Sequence, residues 1–329
     1  MFISSLAAWH PEEVLTNAAL SAMVDTSDAW IVERVGIRER RRCPPDMAVH
    51  ALGARAAALA LRGHDPGGVD LVLCAPSITD YHVPATANLV ADAVGCGDAP
   101  AFDLRAGCSA FIFALHTLRG LLATGAHRCA LLVIPEAYTH ATDYTDRSTC
   151  VLWGDAAFAC IVTPDRPSGL SLEVVDTTVG SRSKDAPAIE VPVGGTFRQD
   201  GHAVQAFAIK KMAEVVETTL RRSNLTAAQT GYFIGHQANL GILTRVATRT
   251  GFSPQRHLTN VERFGNCGAA GAPSVLAQYV DRFRDGDRIV VATVGAGLSW
   301  GGALLVARNQ PHHQHLADDL QQHPPEIRA

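Results

Sequence analysis

Three stretches of this sequence contain residues whose type and position could support chemistry, and the first is centred on a cysteine. In DLRAGCSAFIFAL (103–115), Cys108 lies on the turn that leads into an apolar run of helical character. Serine, threonine or aspartate would cap that helix better, so the cysteine is either a small buried residue or a nucleophile. The first turn of a helix offers free N–H groups and a positive dipole end. If Cys108 is a nucleophile, we therefore expect its pKa to lie below the usual value of about 8.5.

The other two stretches place a histidine and an asparagine where a ligand could meet them. In GHQANLGIL (235–243), His236 ends an apolar strand and precedes a helix, and ligands of α/β proteins bind at the carboxyl ends of strands. In RFGNCGAAGAP (263–273), Asn266 precedes small residues that permit close backbone approach, and its amide could donate to a developing enolate or oxyanion. A structural histidine and an asparagine helix cap remain the alternatives.

The elements that must position these residues alternate between short β-branched runs and longer helical patterns, which is typical of βαβ units. We predict strands at 69–76, 129–137, 231–236 and 287–295, and helices at 47–63 and 201–223. The order of elements after Val69 is repeated after Gly231. This repetition predicts two similar halves, 1–165 and 166–309, with the start of the 103–115 helix and the Asn266 turn facing their junction. The tail, 310–329, is predicted to be disordered.

Composition excludes several classes of function. The chain has 329 residues, of which 47% are hydrophobic and 18% charged, and its net charge of -4 offers no general attraction for nucleic acid or anionic membranes. No apolar run is long enough to span a bilayer, and no signal peptide is recognisable at the N-terminus. The eight cysteines include no C-x-x-C pair, which argues against a metal site and for reduced thiols in the cytoplasm. The basic run at 38–42 is either a phosphate patch or, as we favour, a solvated loop.

Taken together, in the order cysteine, histidine, asparagine, the motifs resemble the β-ketoacyl-acyl-carrier-protein synthase III family of the thiolase superfamily. The resemblance extends over residues 12–308. It rests on six stretches, which are VDTSDAWIVERVGIRERR (24–41), GCSAFIFAL (107–115), TDRSTCVLWGDAA (145–157), HQANL (236–240), GNCGAAGAP (265–273) and SWGGALL (299–305).

The resemblance implies an α/β fold of the thiolase-like αβαβα layered type, made of two similar halves, and a homodimer. It also implies a ping-pong reaction in which Cys108 takes an acyl group from acyl-CoA and a malonyl thioester is then decarboxylated and condensed with it. His236 and Asn266 would stabilise the enolate, and the backbone N–H groups of Cys108 and Gly297 would form an oxyanion hole. Coenzyme A thioesters would be substrates, with no cofactor and no metal. The positions that match CoA-binding residues are Trp30, Arg34, Arg147, Gly201, His202, Ala238 and Asn239, and Val83 matches the acyl pocket.

The chain departs from the pattern of the housekeeping enzymes at several positions. Gly241 replaces an arginine that meets the acidic carrier protein, and His202 and Ala206 replace an asparagine and a lysine. Val83 replaces a phenylalanine, so a different or bulkier acyl group is expected. These departures favour a role in specialised lipid or polyketide metabolism. An acyltransferase that moves the acyl group to a hydroxyl or a carrier protein without condensation is the alternative, and a non-catalytic acyl-CoA-binding scaffold is a further one. The segment 183–200 is expected to be a mobile flap beside the substrate channel.

Overall fold

The computed structural model describes residues 1–309, and within them nine strands join into one mixed sheet. The strands are β1 (Phe2–Trp9), β2 (Glu13–Thr16), β3 (Glu39–Arg42), β4 (Leu71–Cys74), β5 (Ala101–Asp103), β6 (Ala130–Ala137), β7 (Asp155–Thr163), β8 (Leu170–Ser181), β9 (Ile189–Glu190), β10 (Arg198–Gln199), β11 (Tyr232–Gly235), β12 (Arg288–Gly295) and β13 (Ser299–Asn309). The order of strands in the sheet is β11-β12-β13-β8-β1-β7-β6-β4-β5, and two short antiparallel pairs, β2–β3 and β9–β10, stand apart from it.

The sheet consists of two halves, and each half is covered by helices on both of its faces. The α-helices therefore form three layers, one outside each half and one between the halves. Helices α3 and α4 cover the half that contains β4 and β6, and α7 and α8 cover the half that contains β11 and β12. Helices α5 and α10 lie in the core between the two halves. The helices are α1 (Asn17–Ser21), α2 (Asp28–Val35), α3 (Val49–Ala60), α4 (Thr86–Val94), α5 (Ala110–Ala123), α6 (Arg147–Cys150), α7 (Gly201–Arg222), α8 (Leu240–Thr250), α9 (Val261–Phe264) and α10 (Gly271–Tyr279).

The two halves follow the same path through space. The order β5-β4-β6-β7-β1 in the first matches β11-β12-β13-β8 in the second, where an isolated parallel bridge between Phe233 and His257 takes the place of β5. Helices α5 and α10 each follow a 3-10 turn, at Gly107–Ser109 and Gly268–Ala270, whose first glycines have φ of +51° and +53°. The expected layered α/β fold is confirmed. The exact division at 165 stays a prediction, and the predicted tail 310–329 lies outside the described residues.

All four predicted strands and both predicted helices are present, each within a few residues of the expected bounds. The favoured interpretation of the basic run 38–42 is wrong at its centre. Arg40 lies in β3 and is fully buried, and its guanidinium donates to the carbonyl oxygens of Leu15 and Val151 and to Asn17 Oδ1. Burial lowers the pKa of Arg40 to about 10, so it still carries its charge at neutral pH. No helix in residues 1–309 is long and apolar enough to cross a membrane.

Candidate active site

Cys108 lies at the start of the central helix, in close contact with the end of a strand from the other half. The positive φ of Gly107 (+51°) turns the chain from β5 into α5. A Cβ on Gly295, the last residue of β12, would lie 2.8 Å from the Cys108 nitrogen and 3.0 Å from the Ser109 nitrogen, so only glycine permits this approach. The cysteine is 8% exposed. Its thiol is therefore largely enclosed at the positive end of α5.

The pKa of Cys108 is shifted in the direction opposite to the expected one. Burial, followed by the nearby Glu136 carboxyl, raises the pKa of the thiol to about 12. The prediction of a pKa below the usual value is therefore wrong, because desolvation outweighs the hydrogen bonding to Tyr138 and to the Cys108 backbone that lowers the pKa. At neutral pH the thiol is protonated, and it must lose that proton when it attacks an acyl group.

His236 directly follows β11, at the same end of the sheet as Gly295 at the end of the parallel strand β12. Its backbone nitrogen donates to the Ala292 carbonyl (2.9 Å), three residues before Gly295, which contacts the Cys108 turn. The side chain is 6% exposed, and burial lowers its pKa to about 4, so the imidazole is neutral at neutral pH. Its Nδ1 is enclosed without a hydrogen-bond partner among residues 1–309. His257 also has an enclosed ring nitrogen without a partner, so the position of His236 beside the Cys108 turn, rather than its free nitrogen, favours a ligand-facing role.

The backbone nitrogen and the backbone carbonyl of Asn266 are both hydrogen bonded. It is 4% exposed, its nitrogen donates to the Leu152 carbonyl (2.8 Å), and its carbonyl accepts from the Gly154 nitrogen (3.1 Å). Its side-chain Oδ1 accepts from the Gly268 nitrogen (3.1 Å). This bond matches the turn-stabilising alternative, but it uses only the oxygen, so the amide nitrogen remains as the donor for a ligand.

The three predicted residues converge because the two 3-10 turns touch each other. The turn Gly268–Ala270 contacts the turn Gly107–Ser109 and the end of β6, and the end of β12 contacts the latter turn from the side of His236. The turns that carry Cys108 and Asn266 are therefore in contact, and His236 follows the strand beside β12, so the three side chains are a protonated thiol, a neutral imidazole and a carboxamide on adjoining segments. This set can form a covalent acyl intermediate and can stabilise an enolate with neutral donors.

Sequence reasoning missed a polar cluster next to the thiol. Tyr138 and the fully buried Glu136 lie at the carboxyl end of β6, and Ser77 lies just after β4. Their signal was the VIPEAY ending of a predicted strand, since the rule that singled out His236 applies equally to this strand end. The ring of Tyr138 stacks on Trp153 (centroids 4.1 Å apart), which meets Phe197 from the segment 183–200 edge-on (4.4 Å). These three rings form a packed aromatic cluster beside the site.

Two of the predicted CoA-binding residues meet in space, although 116 positions separate them in the sequence. The guanidinium of Arg147 lies over the Trp30 ring (5.2 Å to the centroid), and its Nη1 donates to the Asp25 carbonyl (3.0 Å). Both side chains are accessible, so a planar base and a phosphate could bind there. Arg34 is exposed at the end of the same helix, α2.

The remaining predicted residues differ in how the structure uses them. Asn239 caps α8, accepting from the Ile242 nitrogen and donating to the Arg34 carbonyl (both 3.1 Å), so its side chain is already engaged. Ala238 is half-buried between His236 and this cap. Gly201 and His202 are exposed at the start of α7. The role of each toward CoA stays a prediction.

The acyl-pocket and oxyanion assignments receive unequal support. Val83 is 83% exposed on the loop between β4 and α4, so its side chain packs against little of its own chain, and its pocket role stays a prediction. Gly297 has a φ of +123° and follows Ala296, whose nitrogen would lie 3.3 Å from a Cβ on Gly107. The loop of Gly297 therefore lies against the turn of Cys108, as an oxyanion hole built from their two N–H groups requires.

A layered fold of two matched halves, with a buried cysteine at the start of its central helix, defines the class of thiolase-like acyltransferases. Comparison with known proteins gives the family within that class. The family described as 3-oxoacyl-[acyl-carrier-protein (ACP)] synthase III matches residues 102–182, and its C-terminal counterpart matches residues 220–307. The chain belongs to this family and is an acyltransferase.

Individual relatives agree over nearly the whole length. A beta-ketoacyl-[acyl-carrier-protein] synthase III 2 of Deinococcus radiodurans is 38% identical over 92% of this chain and 93% of its own. The crystal structure of the 3-oxoacyl-[acyl-carrier-protein] synthase III of Aquifex aeolicus superposes with a TM-score of 0.88 at 31% identity, covering 93% of this chain and 99% of that one. The priming beta-ketosynthase of the R1128 polyketide biosynthetic pathway superposes with a TM-score of 0.85 at 28% identity, covering 93% and 96%.

Proposed function

We propose that this enzyme loads an acyl group from acyl-CoA onto Cys108 and condenses it with a malonyl thioester by decarboxylative Claisen chemistry. The main observation in support is that the turn of Cys108 contacts both the turn after Asn266 and the end of β12, which pairs with the strand that precedes His236. Metals and further cofactors have no part in the proposed steps, which use these side chains and the thioester substrates.

In the first half-reaction, the sulfur of Cys108 attacks the carbonyl carbon of the thioester. The oxyanion that forms accepts hydrogen bonds from the backbone nitrogens of Cys108 and Gly297, at the start of α5 and in the adjoining loop. Collapse of this intermediate expels the CoA thiolate and leaves a thioester on Cys108. The enclosed position of the sulfur protects that thioester from water.

In the second half-reaction, a malonyl thioester occupies the space left by CoA. Loss of carbon dioxide leaves an enolate, whose oxygen accepts hydrogen bonds from the His236 ring and the Asn266 amide. Both donors are neutral, since burial lowers the pKa of His236 to about 4, and decarboxylation requires no strong base. The enolate carbon then attacks the acyl group and releases the Cys108 thiolate.

The CoA portion of the donor fits the surface formed by Trp30 and Arg147. We propose that the adenine stacks there and that exposed Arg34 contacts the phosphates, while Gly201, His202, Ala238 and Asn239 lie along the pantetheine. The relatives are named for acyl carrier protein, which supports a carrier-bound extender. Although Gly241 and Ala206 lack a cation, Lys210 and Arg245 are exposed on α7 and α8 and form no ion pair within residues 1–309, so they can meet an acidic partner.

The proposed homodimer is supported by the open edge of the sheet at β5. Within residues 1–309, β5 pairs only with β4, and exposed edges of this kind tend to be covered. Phe102 on this strand is exposed, as are Tyr81 and Val83 on the loop whose following helix is capped by Asp103. A second copy on this face would bury all three side chains, and Val83 would then border a substrate site. Eight unpaired cysteines support a reducing compartment such as the cytoplasm.

Assignment to specialised lipid or polyketide metabolism is part of the proposal. The priming ketosynthase named above is a relative from such a pathway. In addition, packed aromatic rings lie beside Cys108, where an enzyme for long acyl chains would need an open channel. Transfer without condensation remains the second candidate, since it needs only the loading step.

The test is mass spectrometry of the protein with a panel of acyl-CoAs and with malonyl-CoA or a malonyl carrier protein labelled in the free carboxylate. We expect a thioester on Cys108, then labelled carbon dioxide and a β-keto product. Loading without carbon dioxide from either extender would support the acyltransferase, and no loading by any donor would support the scaffold. Cys108→Ala should abolish loading, whereas Cys160→Ala, which removes a buried thiol in β7 away from the site, should retain it.

A further inference from the structure

The protonated state of Cys108 requires a proton acceptor in the loading step, which is the step this inference addresses and through which it rests on the proposed function. When the sulfur attacks, the S–H bond must break. His236 is enclosed with its Nδ1 unpartnered, and the enolate of the second step requires its ring as a donor. The polar cluster at the carboxyl end of β6 offers another acceptor.

Tyr138 connects the thiol to this cluster. Its ring lies beside the carboxyl of this cluster, since a Cβ on Gly268 would lie 2.4 Å from Tyr138 Cε2 and 2.8 Å from Glu136 Oε1. The Cys108 thiol and the Ser77 hydroxyl both influence the Tyr138 hydroxyl, and they shift its pKa in opposite directions. The ring has no room to turn away, because it stacks on Trp153 and because a Cβ on Gly268 would overlap its Cε2. The ring is thus fixed in place beside the Glu136 carboxyl.

Ser77 and Glu136 complete the connection. The Ser77 hydroxyl donates to Glu136 Oε1 (2.8 Å), and the Ser77 nitrogen donates to Oε2 (3.1 Å). The Ala269 nitrogen, in the turn before α10, donates to Oε1 (3.0 Å). The carboxyl is fully buried and is held by three donors, and it is near enough to Cys108 to raise the pKa of the thiol.

We propose that Glu136 accepts the proton of Cys108 through Tyr138 and Ser77 during loading and returns it during condensation. The thiol proton passes to the Tyr138 oxygen, the Tyr138 proton to the Ser77 oxygen, and the Ser77 proton to Glu136 Oε1. The sulfur electron pair forms the bond to the acyl carbon, and CoA leaves as a thiolate that water protonates. When condensation releases the Cys108 thiolate, the three protons move back in the opposite direction, so neither oxidant nor reductant is required.

The groups around Glu136 determine how proton transfer along the row Cys108, Tyr138, Ser77 and Glu136 responds to pH. The titratable groups that face the carboxyl are Cys108, Tyr138, Asp155 and Cys267. Burial raises the pKa of Glu136 to about 8, against the opposing effect of its three donors, and Asp155 adds to the rise. Below this pH the carboxyl already holds a proton and cannot take another. Proton removal from Cys108 should therefore speed up as the pH rises through about 8.

The test uses iodoacetamide, which needs neither an acyl donor nor an extender, so its result is independent of the reaction assigned to the enzyme. The rate at which Cys108 is alkylated is followed between pH 6 and pH 10 by peptide mass spectrometry, which separates this thiol from the other seven. We expect an inflection near pH 8 in the wild type. Tyr138→Phe, Ser77→Ala and Glu136→Gln should each remove the inflection and slow alkylation at pH 8 by about 100-fold, the low end for positioned proton transfer.

The controls distinguish the loss of proton transfer along this row from general damage to the fold. Tyr144→Phe removes a half-buried tyrosine hydroxyl that contacts Arg42 instead, and it should keep the wild-type profile. His236→Ala should keep the inflection as well. An inflection that persists in Tyr138→Phe, or that disappears in His236→Ala, would overturn the proposal. Should Glu136→Gln fail to fold, as judged by circular dichroism, Tyr138→Phe and Ser77→Ala decide the outcome.

Discussion

Replacement of His236 by alanine should separate the two half-reactions. The ring is enclosed, and burial lowers its pKa to about 4, so at neutral pH it acts as a neutral donor in a dry site. Loss of one such donor costs about 2.7–4 kcal/mol of transition-state stabilisation, or on the order of 100- to 1,000-fold in rate. Because loading does not use this donor, the whole loss should fall on condensation.

The assay measures each step in a single turnover. Loading of Cys108 is followed by intact-protein mass spectrometry after mixing with acyl-CoA. Condensation is followed by release of labelled carbon dioxide when a malonyl thioester is added to the preloaded enzyme. The matched control is His257→Ala, since His257 is another histidine whose pKa burial lowers to about 4, but it packs against Phe233 (centroids 5.3 Å apart) outside the site.

Two results would refute this reasoning. Equal losses in loading and condensation for His236→Ala would mean that the imidazole also serves Cys108, and the proton would then have to leave by way of the histidine. Equal losses for the two histidine variants would mean that removing a buried ring damages the protein in general. We expect near wild-type loading in both variants and slow condensation in only one.

Three further predictions concern stability and substrate binding. Because the pKa of His257 is lowered from 6.5 to about 4 on folding, its contribution to stability is lost as the pH falls below 6.5. The free energy of unfolding in urea should therefore drop by about 2 kcal/mol more for the wild type than for His257→Gln between pH 7 and pH 5, and parallel curves would contradict this. Gly268→Ala places a Cβ against a tyrosine ring and a carboxyl at a φ of +53°, whereas the control Gly63→Ala has a φ of +80° and nothing within 4 Å. In chemical denaturation, Gly268→Ala should lower the free energy of unfolding by about 1–3 kcal/mol more than Gly63→Ala does. Equal losses would exclude overlap as the cause. Trp30→Ala and Arg147→Ala should each raise the KM for acyl-CoA about 10-fold at unchanged kcat, and a fall in kcat alone would place both residues outside the binding surface.

The fold and the three central residues were predictable because their signals are local. Four buried strands and two long helices are visible as runs of apolar residues at the periods of strands and helices. Cys108, His236 and Asn266 each lie where an element begins or ends, and the close approach of their turns depends on glycines that the sequence displays. Trp30 and Arg147 required the family resemblance, since no local pattern links residues so far apart.

The properties of the site were less accessible, since they depend on contacts across the fold. Nothing near Cys108 in the sequence announces that Glu136 and Tyr138 face it. Burial, followed by the Glu136 carboxyl, reverses the expected direction of the pKa shift of Cys108, and Tyr138 opposes this rise without cancelling it. Arg40 was expected to be solvated, because four charged neighbours surround it in the sequence. It is buried instead because three oxygen atoms from distant segments accept its hydrogen bonds.

The paired turns have a consequence for the number of reaction centres in the chain. Cys108 and Ala269 occupy the same place in turns of nearly identical φ, each before a central helix. Duplication of one half would create two equivalent helix starts, both suited to an anion. In this protein the second is permanently occupied from within, because the Ala269 nitrogen donates to the Glu136 carboxyl. An internal carboxyl oxygen thus accepts the hydrogen bond that a substrate oxygen would otherwise accept, and a molecule built from two similar halves retains one nucleophile.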